Sequence, residues 1–542
     1  MNASPWWKRA VIYQVYPRSF ADSNGDGIGD IPGILAHLDY LETLGIDAIW
    51  LSPVYPSPQY DNGYDIADYR GVDPLFGSMA DLERLIAEAG KRGIRIIMDL
   101  VLNHSSDEHP WFLDAKTRRD SPCHDYYIWR EPEQVEAEGG PDSFGKASWK
   151  WVPEIGQVYY YQFSEKQPDL NWANPALRRE LYDMIRFWAD KGVGGFRLDV
   201  VDHLGKDPDL GVNINGPRLH EYIREMRREA FVKPDLVTVG EAWSATTESA
   251  KLYSDPAGTE LSMVFQFEHI KLDQQEGGDK WDLAPLPFLR FKQVLAKWQT
   301  ELHGCGWNSL VWENHDLPRI VSRWGDDGEY REVCARMLAI LLFGMEGTPY
   351  IYQGQELGMT NCALSESQYN DVETLNMIRD RRARGVPDEI ILPAAAAKSR
   401  DNARTPMQWD ATENAGFTSG TPWLPVNPNY RDVNAAEQIG RPDSVFACYR
   451  ELIRLRHTRP VFTEGRFTLL LPEHEAVFAY EREGAEETLL VVCNFYGDTI
   501  PDPLADRTHG ERLIGNYAEA QPGTLRPYEA AIYSIPKQKG EH

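Results

Sequence analysis

The sequence predicts an α/β fold: a (β/α)8 barrel with a subdomain inserted after its third strand and a C-terminal antiparallel β-sandwich domain. Three features carry that prediction. Eight short apolar runs alternate with amphipathic helical stretches over roughly the first 460 of 542 residues. Nearly every run finishes, at its C-terminal end, in polar or ionisable residues. Beyond residue 466 the helical period stops, and short segments separated by turns replace it.

The runs are VIYQVYP (11–17), IDAIWLSP (46–53), IRIIMDLVLNH (94–104), GFRLDVV (195–201), LVTVGEAW (236–243), MVFQFEH (263–269), SLVWENHD (309–316) and TPYIYQG (348–354). Between them lie helix-period segments such as ILAHLDYLETLG and LRRELYDMIRFWADKG, several closing on the Gly that a helix C-cap favours. Continuous apolar strands alternating with helices imply a parallel sheet covered on both faces. Eight of them close most economically into a barrel, and an open doubly wound sheet is the alternative. The polar strand ends favour the barrel, whose chemistry gathers at that rim.

Uneven spacing marks the insertions. The third strand to the fourth takes about ninety residues, against about forty-five for the preceding step. Residues 1–104 then form the first part of the barrel and 105–172 an inserted subdomain rich in Trp, Tyr, Pro and Gly. Residues 173–465 complete the barrel, with a second insertion at about 360–430, and 466–542 form the sandwich through segments such as RFTLLL, AVFAYERE, TLLVVCNF and AAIYSI.

Composition narrows the function. Lys and Arg number 56 against 83 Asp and Glu, a net charge of −27, and no basic stripe suits a phosphate backbone, so nucleic acid is not an expected partner. No apolar run approaches the ~20 residues that span a bilayer, and no membrane partner is expected. Six cysteines form neither a CxxC nor a Cys/His metal spacing. Together with an N-terminus lacking the basic-then-apolar order of a secretion signal, this points to the cytoplasm. A monomer or homodimer is expected.

Three carboxylates stand at strand ends: Asp199 in GFRLDVV, Glu241 in GEAW and Asp316 in ENHD. Acids on buried strands are costly unless paired, and any one alone reads as a structural ion pair. Three on neighbouring strands of one barrel read as chemistry. Arg197, two residues before Asp199, points to the same side of its strand and is expected to keep Asp199 ionised and nucleophilic. Paired carboxylates, with GxSxG, HExxH and the P-loop pattern absent, point to glycoside hydrolysis, in which one acid attacks and the other protonates the leaving group.

At this point the motifs carry a resemblance. DLVLNH (99–104), GFRLDVV (195–201), GEAW (240–243) and ENHD (313–316), in this order, resemble the four signature regions of the α-amylase family of glycoside hydrolases. QPDLNW (167–172), VIYQVYPRSF, DNGYDIADYR, MVFQFEH, TPYIYQGQELGM and ARTPMQW are similar to its oligo-1,6-glucosidase, dextran glucosidase and α-glucosidase subgroup. The resemblance implies a retaining exo-α-glucosidase, with Asp199 as nucleophile, Glu241 as acid/base and Asp316 as the acid that distorts the sugar. It also implies that Asp61, Tyr64, His104, Arg197, His315 and Arg404 line the pocket for the terminal glucose, with Phe144, Phe163 and Gln167 reaching in from the inserted subdomain. No cofactor for catalysis is implied.

Within this subgroup, Val200 after the nucleophile and Trp243 after the acid/base accompany α-1,6 linkages, as in isomaltose. A valine there is also what β-propensity would place in a strand. Readings with the same catalytic acids remain open: an α-1,4-glucosidase, a transglucosylase or a sucrose isomerase. The non-catalytic transporter heavy chains that share this fold have lost catalytic acids, whereas all three are present here.

DSNGDGIGD (22–30) spaces oxygen ligands as a calcium loop does, with Gly27 at the turn and Gly33 where an EF-hand has Glu. The subgroup resemblance implies structural Ca2+ held by Asp22, Asn24, Asp26, the Ile28 carbonyl and Asp30. Mg2+ is the alternative occupant.

Overall fold

The computed structural model describes residues 4–135, 148–508 and 510–537. Each of the eight apolar runs contains a strand: β1 (Ile12–Val15), β2 (Ala48–Leu51), β3 (Arg95–Leu100), β4 (Gly195–Leu198), β5 (Val237–Glu241), β6 (Met263–Phe265), β7 (Ser309–Leu310) and β8 (Thr348–Tyr352). They pair in parallel in the order β7-β8-β1-β2-β3-β4-β5-β6. A parallel bridge between Val264 and Asn308 brings the two edges together. The barrel, rather than the open sheet, is therefore the fold. Strands are shorter than their runs, most of all β7, because the polar end ENHD leaves the ladder at the rim.

Helices cover the strands for reasons visible in the chain. Met79–Lys91 starts from a capping box between Ser78 and Asp81 and buries Leu82, Leu85 and Ala89. Pro175–Asp190 starts from Asn174 with Pro175 in its first turn, and buries a stripe from Leu177 to Trp188. The segment expected as one helix, ILAHLDYLETLG, is two, Ile31–Ala36 and Leu38–Leu44, meeting at His37.

Between β3 and β4 a three-stranded antiparallel sheet places Gln157–Tyr161 between Trp129–Arg130 and Ser148–Val152. A buried ion pair straps the end of this excursion to the rim, with Lys206 Nζ lying 3.1 Å from Asp169 Oδ2 and donating to Asn103 Oδ1 at 2.5 Å. After β8 the chain adds helices Val372–Ala383 and Asp388–Lys398. Beyond Arg466 a five-stranded antiparallel sheet is accompanied by a small two-stranded one. It docks on the helix Arg331–Phe343, where Tyr480 Oη donates to Leu341 O at 2.6 Å and Arg482 Nη1 to Gly344 O at 2.8 Å.

Candidate active site

The register of the barrel assembles the first charged cluster. Asp99 on β3 lies opposite Arg197 on β4, and Asp199 follows β4 directly, its N–H donating to Leu100 O. Alternation puts Arg197 and Asp199 on one side. Arg197 Nη1 donates to Asp199 Oδ1 at 2.7 Å and to Asp99 Oδ1 at 2.9 Å. Its Nη2 lies 2.6 Å from Glu241 Oε2, at the end of β5. One guanidinium, 1% exposed, thus spans both acids expected to do the chemistry.

The electrostatics correct one expectation. Arg197 does not by itself hold Asp199 ionised. Burial raises the Asp199 carboxyl well above its usual range, Arg197 opposes that, and the charges of Glu241 and Asp99 add to it. Three carboxylates thus share one cation, so the charge on each bears on the others.

Asp316, beyond β7, is held in the opposite sense. Burial would raise it, but the His315 ring and the guanidinia of Arg400, Arg404 and Arg197 keep it well below the usual carboxylate range. Arg404 Nη2 donates to Asp316 Oδ1 at 2.8 Å and Arg400 Nη1 to the same oxygen at 3.3 Å. Gln14 Nε2 lies 2.8 Å from His315 Nδ1, so the amide donates there and the ring proton sits on Nε2, 3.1 Å from Asp316 Oδ2. Burial, with the three arginines, pushes the His315 ring down to about 3, so it is neutral at physiological pH. Tyr64 stacks on it at 5.2 Å between centroids.

A cavity of about 370 Å3 opens between these clusters. Asp61, Tyr64, His104, Phe163, Asp199, Val200, Glu241, Trp243 and Asp316 line it, while Arg197, His315, Arg404 and Gln167 brace those residues from behind. Gln167 Nε2 donates to Asp61 Oδ2 at 3.2 Å and lies 3.1 Å from His104 Nε2. Burial pushes the His104 ring down to about 3, with Lys206 acting in the same direction. Burial raises Asp61 to about 6 although Arg400 and Arg404 oppose it. Phe144 lies outside the described residues.

Val200 is not a strand residue. It stands beyond β4 with φ 34° and ψ 52°, a left-handed backbone that a β-branched side chain rarely adopts. β-Propensity therefore does not account for it. The conformation costs on the order of 1–3 kcal/mol, and it turns the Val200 N–H onto Glu241 Oε2 at 3.1 Å. Trp243 Nε1 donates to the other oxygen, Glu241 Oε1, at 3.0 Å. One face of the Trp243 ring is already stacked on Phe267 at 3.9 Å, leaving only the other for a sugar.

Several site residues escaped the sequence reading. Arg400, four residues before Arg404, donates to Asp61 Oδ1 at 3.2 Å and pairs with Asp371 Oδ1 at 2.7 Å. The i,i+4 spacing of two arginines beside ARTPMQW was the available signal. Asp371 had none, and Gln14 stood unremarked in the quoted VIYQVYPRSF. Asp99 stood in the quoted DLVLNH, yet its three partners, Arg197, Tyr64 and Trp50, come from separate strands and loops.

The loop 22–30 turns its oxygens onto its own amides. Asp22 accepts from the N–H groups of Asn24, Gly25 and Gly27 and from the Thr418 hydroxyl, while Asp26 Oδ1 accepts from Ile28 N. Asp30 accepts from Gly33 N and Ser23. Gly27, at φ +90°, leaves no room for a side chain, since a Cβ would stand 1.9 Å from Thr421 O. The donors are hard oxygens that suit Ca2+ or Mg2+. Among the described residues no three His, Cys, Asp or Glu side chains gather closely enough to hold a metal ion.

Comparison with known proteins places this geometry. The alpha amylase catalytic domain matches residues 14–465. An oligo-1,6-glucosidase of Halalkalibacterium halodurans is 50% identical over 98% of this chain and 99% of its own. A glucan 1,6-alpha-glucosidase of Streptococcus pneumoniae is 55% identical over 90% of this chain and 91% of its own. The solved structure of a trehalose-6-phosphate hydrolase of Bacillus licheniformis superposes with a TM-score of 0.93, at 46% identity, over 98% of this chain and 100% of its own. With carboxylates at the rim of a (β/α)8 barrel and a family match over most of its length, this chain belongs to the α-amylase family of glycoside hydrolases.

Proposed function

We propose that the protein is a retaining exo-α-glucosidase that releases terminal glucose from short α-1,6-linked glucosides such as isomaltose and isomalto-oligosaccharides. The observation that carries the reading is the single Arg197 guanidinium joining Asp199 to Glu241, with Asp316 ionised across the cavity. A carboxylate of Asp199 attacks the anomeric carbon as Glu241 gives its proton to the departing glycosidic oxygen. The C–O bond to the aglycone breaks and a glucosyl–Asp199 ester forms. Water, giving a proton to Glu241, then attacks the same carbon and frees Asp199. Asp316, braced from behind by Arg404 and His315, holds the sugar hydroxyls.

Asp61 and Arg400 line the cavity as a charged pair, with Asp371 holding Arg400 from behind, which supports a pocket for one terminal unit. Val200, beside Glu241, supports the α-1,6 preference, and the relatives named oligo-1,6-glucosidase and glucan 1,6-alpha-glucosidase agree with it. All six cysteines are free thiols, which fits a reducing cytoplasm. Among the described residues no helix is long and apolar enough to cross a membrane. The loop 22–30 is proposed to take Ca2+, or Mg2+, in a structural role that brakes unfolding of the first βα connection.

The deciding experiment measures kcat/KM for glucose release from isomaltose and from maltose side by side, with Asp199→Asn as the control. A clear preference for isomaltose, lost entirely in a folded Asp199→Asn protein, is the expected result. A preference for maltose overturns the linkage, and an active Asp199→Asn protein overturns the mechanism.

A further inference from the structure

β1 carries one polar side chain that points inward. Its neighbour Tyr13 faces the helices, where its hydroxyl meets Glu356 together with that of Tyr40 from the helix Leu38–Leu44. Alternation therefore turns Gln14 to the barrel interior. There it is 1% exposed, and a buried amide costs free energy unless its donors are met. Gln14 Nε2 donates to Ser52 Oγ, beyond β2, at 3.1 Å and lies 2.8 Å from His315 Nδ1, beyond β7. The backbone is pinned here as well, since Gln353 N donates to Gln14 O at 3.1 Å and Tyr16 N to Gln353 Oε1 at 2.8 Å.

The His315 ring is held in its plane by other rings. Tyr64 stacks on it at 5.2 Å and 7°, Tyr16 at 6.0 Å and 17°, and Trp50 meets it edge-on at 5.9 Å. Such contacts fix the plane and nothing more, because a half-turn about the Cβ–Cγ bond keeps the plane while exchanging each nitrogen with a carbon. The choice between the two orientations, and between the two tautomers, falls to polar neighbours. The Gln14 amide donates to Nδ1, which then carries the lone pair, so the proton resides on Nε2. The reversed amide would present Oε1 to Nδ1, leave Nε2 bare and set its lone pair 3.1 Å from Asp316 Oδ2. Asp316 is an anion held by Arg404 and Arg400, so that arrangement is repulsive. Nε2 is buried and makes no hydrogen bond among the described residues, which leaves a spare donor where Asp316 lines the cavity.

We propose that Gln14 is a positioning residue for the hydrolysis: its amide selects the orientation and tautomer of His315 that turn an N–H toward Asp316 and the glucose hydroxyls. The proposal rests on the glucosidase reading above and adds to it a residue that acts through another. The charged groups facing the ring are Asp316 from its own segment, Arg197 from β4, and Arg400 and Arg404 from the insertion after β8. Burial and these arginines keep the ring uncharged against the pull of Asp316, and burial raises the stacked phenols of Tyr16 and Tyr64 out of the titrating range. A carboxyl at position 14 would change this. While the pair holds one extra proton, on either partner, Nε2 keeps its hydrogen. Once that proton leaves, the carboxylate draws the remaining ring hydrogen to Nδ1 and Nε2 is bare.

The test compares Gln14→Leu and Gln14→Glu with the wild type in kcat/KM for 4-nitrophenyl α-glucopyranoside from pH 5 to 9, alongside neutron diffraction from deuterium-exchanged wild-type crystals. Gln14→Leu removes the donor and is expected to lose about tenfold at every pH. The ratio of Gln14→Glu to wild type is expected to be near one at pH 5 and to fall to that of Gln14→Leu by pH 9. Neutron density is expected to place deuterium on His315 Nε2 and none on Nδ1. A Gln14→Leu protein within about twofold of wild type overturns the proposal. So does a Gln14→Glu ratio that stays constant with pH, which is what mere damage to the packing would give. Deuterium on Nδ1 overturns it too, and that readout stands if neither variant folds. A wild-type protein inactive on the 4-nitrophenyl glucoside would refute the glucosidase reading, while the deuterium positions still decide the tautomer.

Discussion

Glu356 offers the sharpest test of the electrostatics inside this barrel. It follows β8, is fully buried, and its Oε1 accepts from Tyr13 Oη at 2.7 Å and from Tyr40 Oη at 2.5 Å. Its Oε2 has no hydrogen-bond partner among the described residues. Burial raises the carboxyl from 4.5 to about 7, although the two tyrosine hydroxyls oppose the rise. The folded protein therefore binds this proton more tightly than the unfolded chain. The stabilisation is fully present below pH 4.5 and is lost as pH climbs through about 7. At ~1.4 kcal/mol per pH unit, the loss is about 3 kcal/mol. An unfolding entropy of ~2.1 cal/mol/K per residue over this chain converts that into a Tm shift of about 3 °C. Glu356→Gln keeps an acceptor for both tyrosines and cannot ionise. Differential scanning fluorimetry of both proteins at pH 5, 6, 7 and 8 should show the variant gaining about 3 °C on the wild type across the series. A Tm difference that is flat with pH would refute the reasoning.

Val200→Thr keeps the β-branch, so the strain in the left-handed backbone is matched, while exchanging a methyl for a hydroxyl beside Glu241. The ratio of kcat/KM for isomaltose to that for maltose should fall by about 5- to 150-fold, from ~1–3 kcal/mol of pocket discrimination, with Tm little changed; an unaltered ratio would remove Val200 from the linkage argument. Asp61 ionises at about 6, so kcat/KM should fall as pH drops through 6. Asp61→Asn should flatten that acid limb and cost about 10- to 150-fold at pH 7.5, on ~1.5–3 kcal/mol for a charged acceptor; an unchanged pH profile would assign the limb elsewhere. Millimolar CaCl2 should raise Tm over an EDTA-treated sample, with kcat for isomaltose unchanged at 25 °C. No shift with either Ca2+ or Mg2+ would mean that loop 22–30 is held by its own amides and Thr418 alone.

What was legible in the chain was whatever a local pattern encodes. Apolar runs with ionisable ends located all eight strands, and strand alternation placed Arg197 beside Asp199. Contacts made by distant segments left no such trace. Asp371 enters the site from an insertion without periodicity, and Gln14 is one polar residue in the apolar β1. The surroundings of Asp199 were read incompletely for the same reason. Arg197 was visible two residues away, whereas Asp99 and Glu241, which share its charge, come from flanking strands. Val200 read as an ordinary strand residue because sequence carries no sign of where a ladder stops and the backbone turns left-handed.

The closure of the barrel has a kinetic side. β1 to β6 form one uninterrupted sheet, and β7 and β8 attach to its far edge at β1. The two blocks meet at the Val264–Asn308 bridge, reinforced by the Ser309 hydroxyl on Val264 O. β5 and β6, by contrast, share three paired positions. A seam this lightly stitched is where amide hydrogens should exchange first and where the ring should spring open under load. Asp316 hangs on one bank of it and Glu241 on a strand beside the other. Opening the seam would therefore disassemble the catalytic acids before the rest of the sheet is lost, so that activity should decay ahead of bulk structure as the protein is warmed.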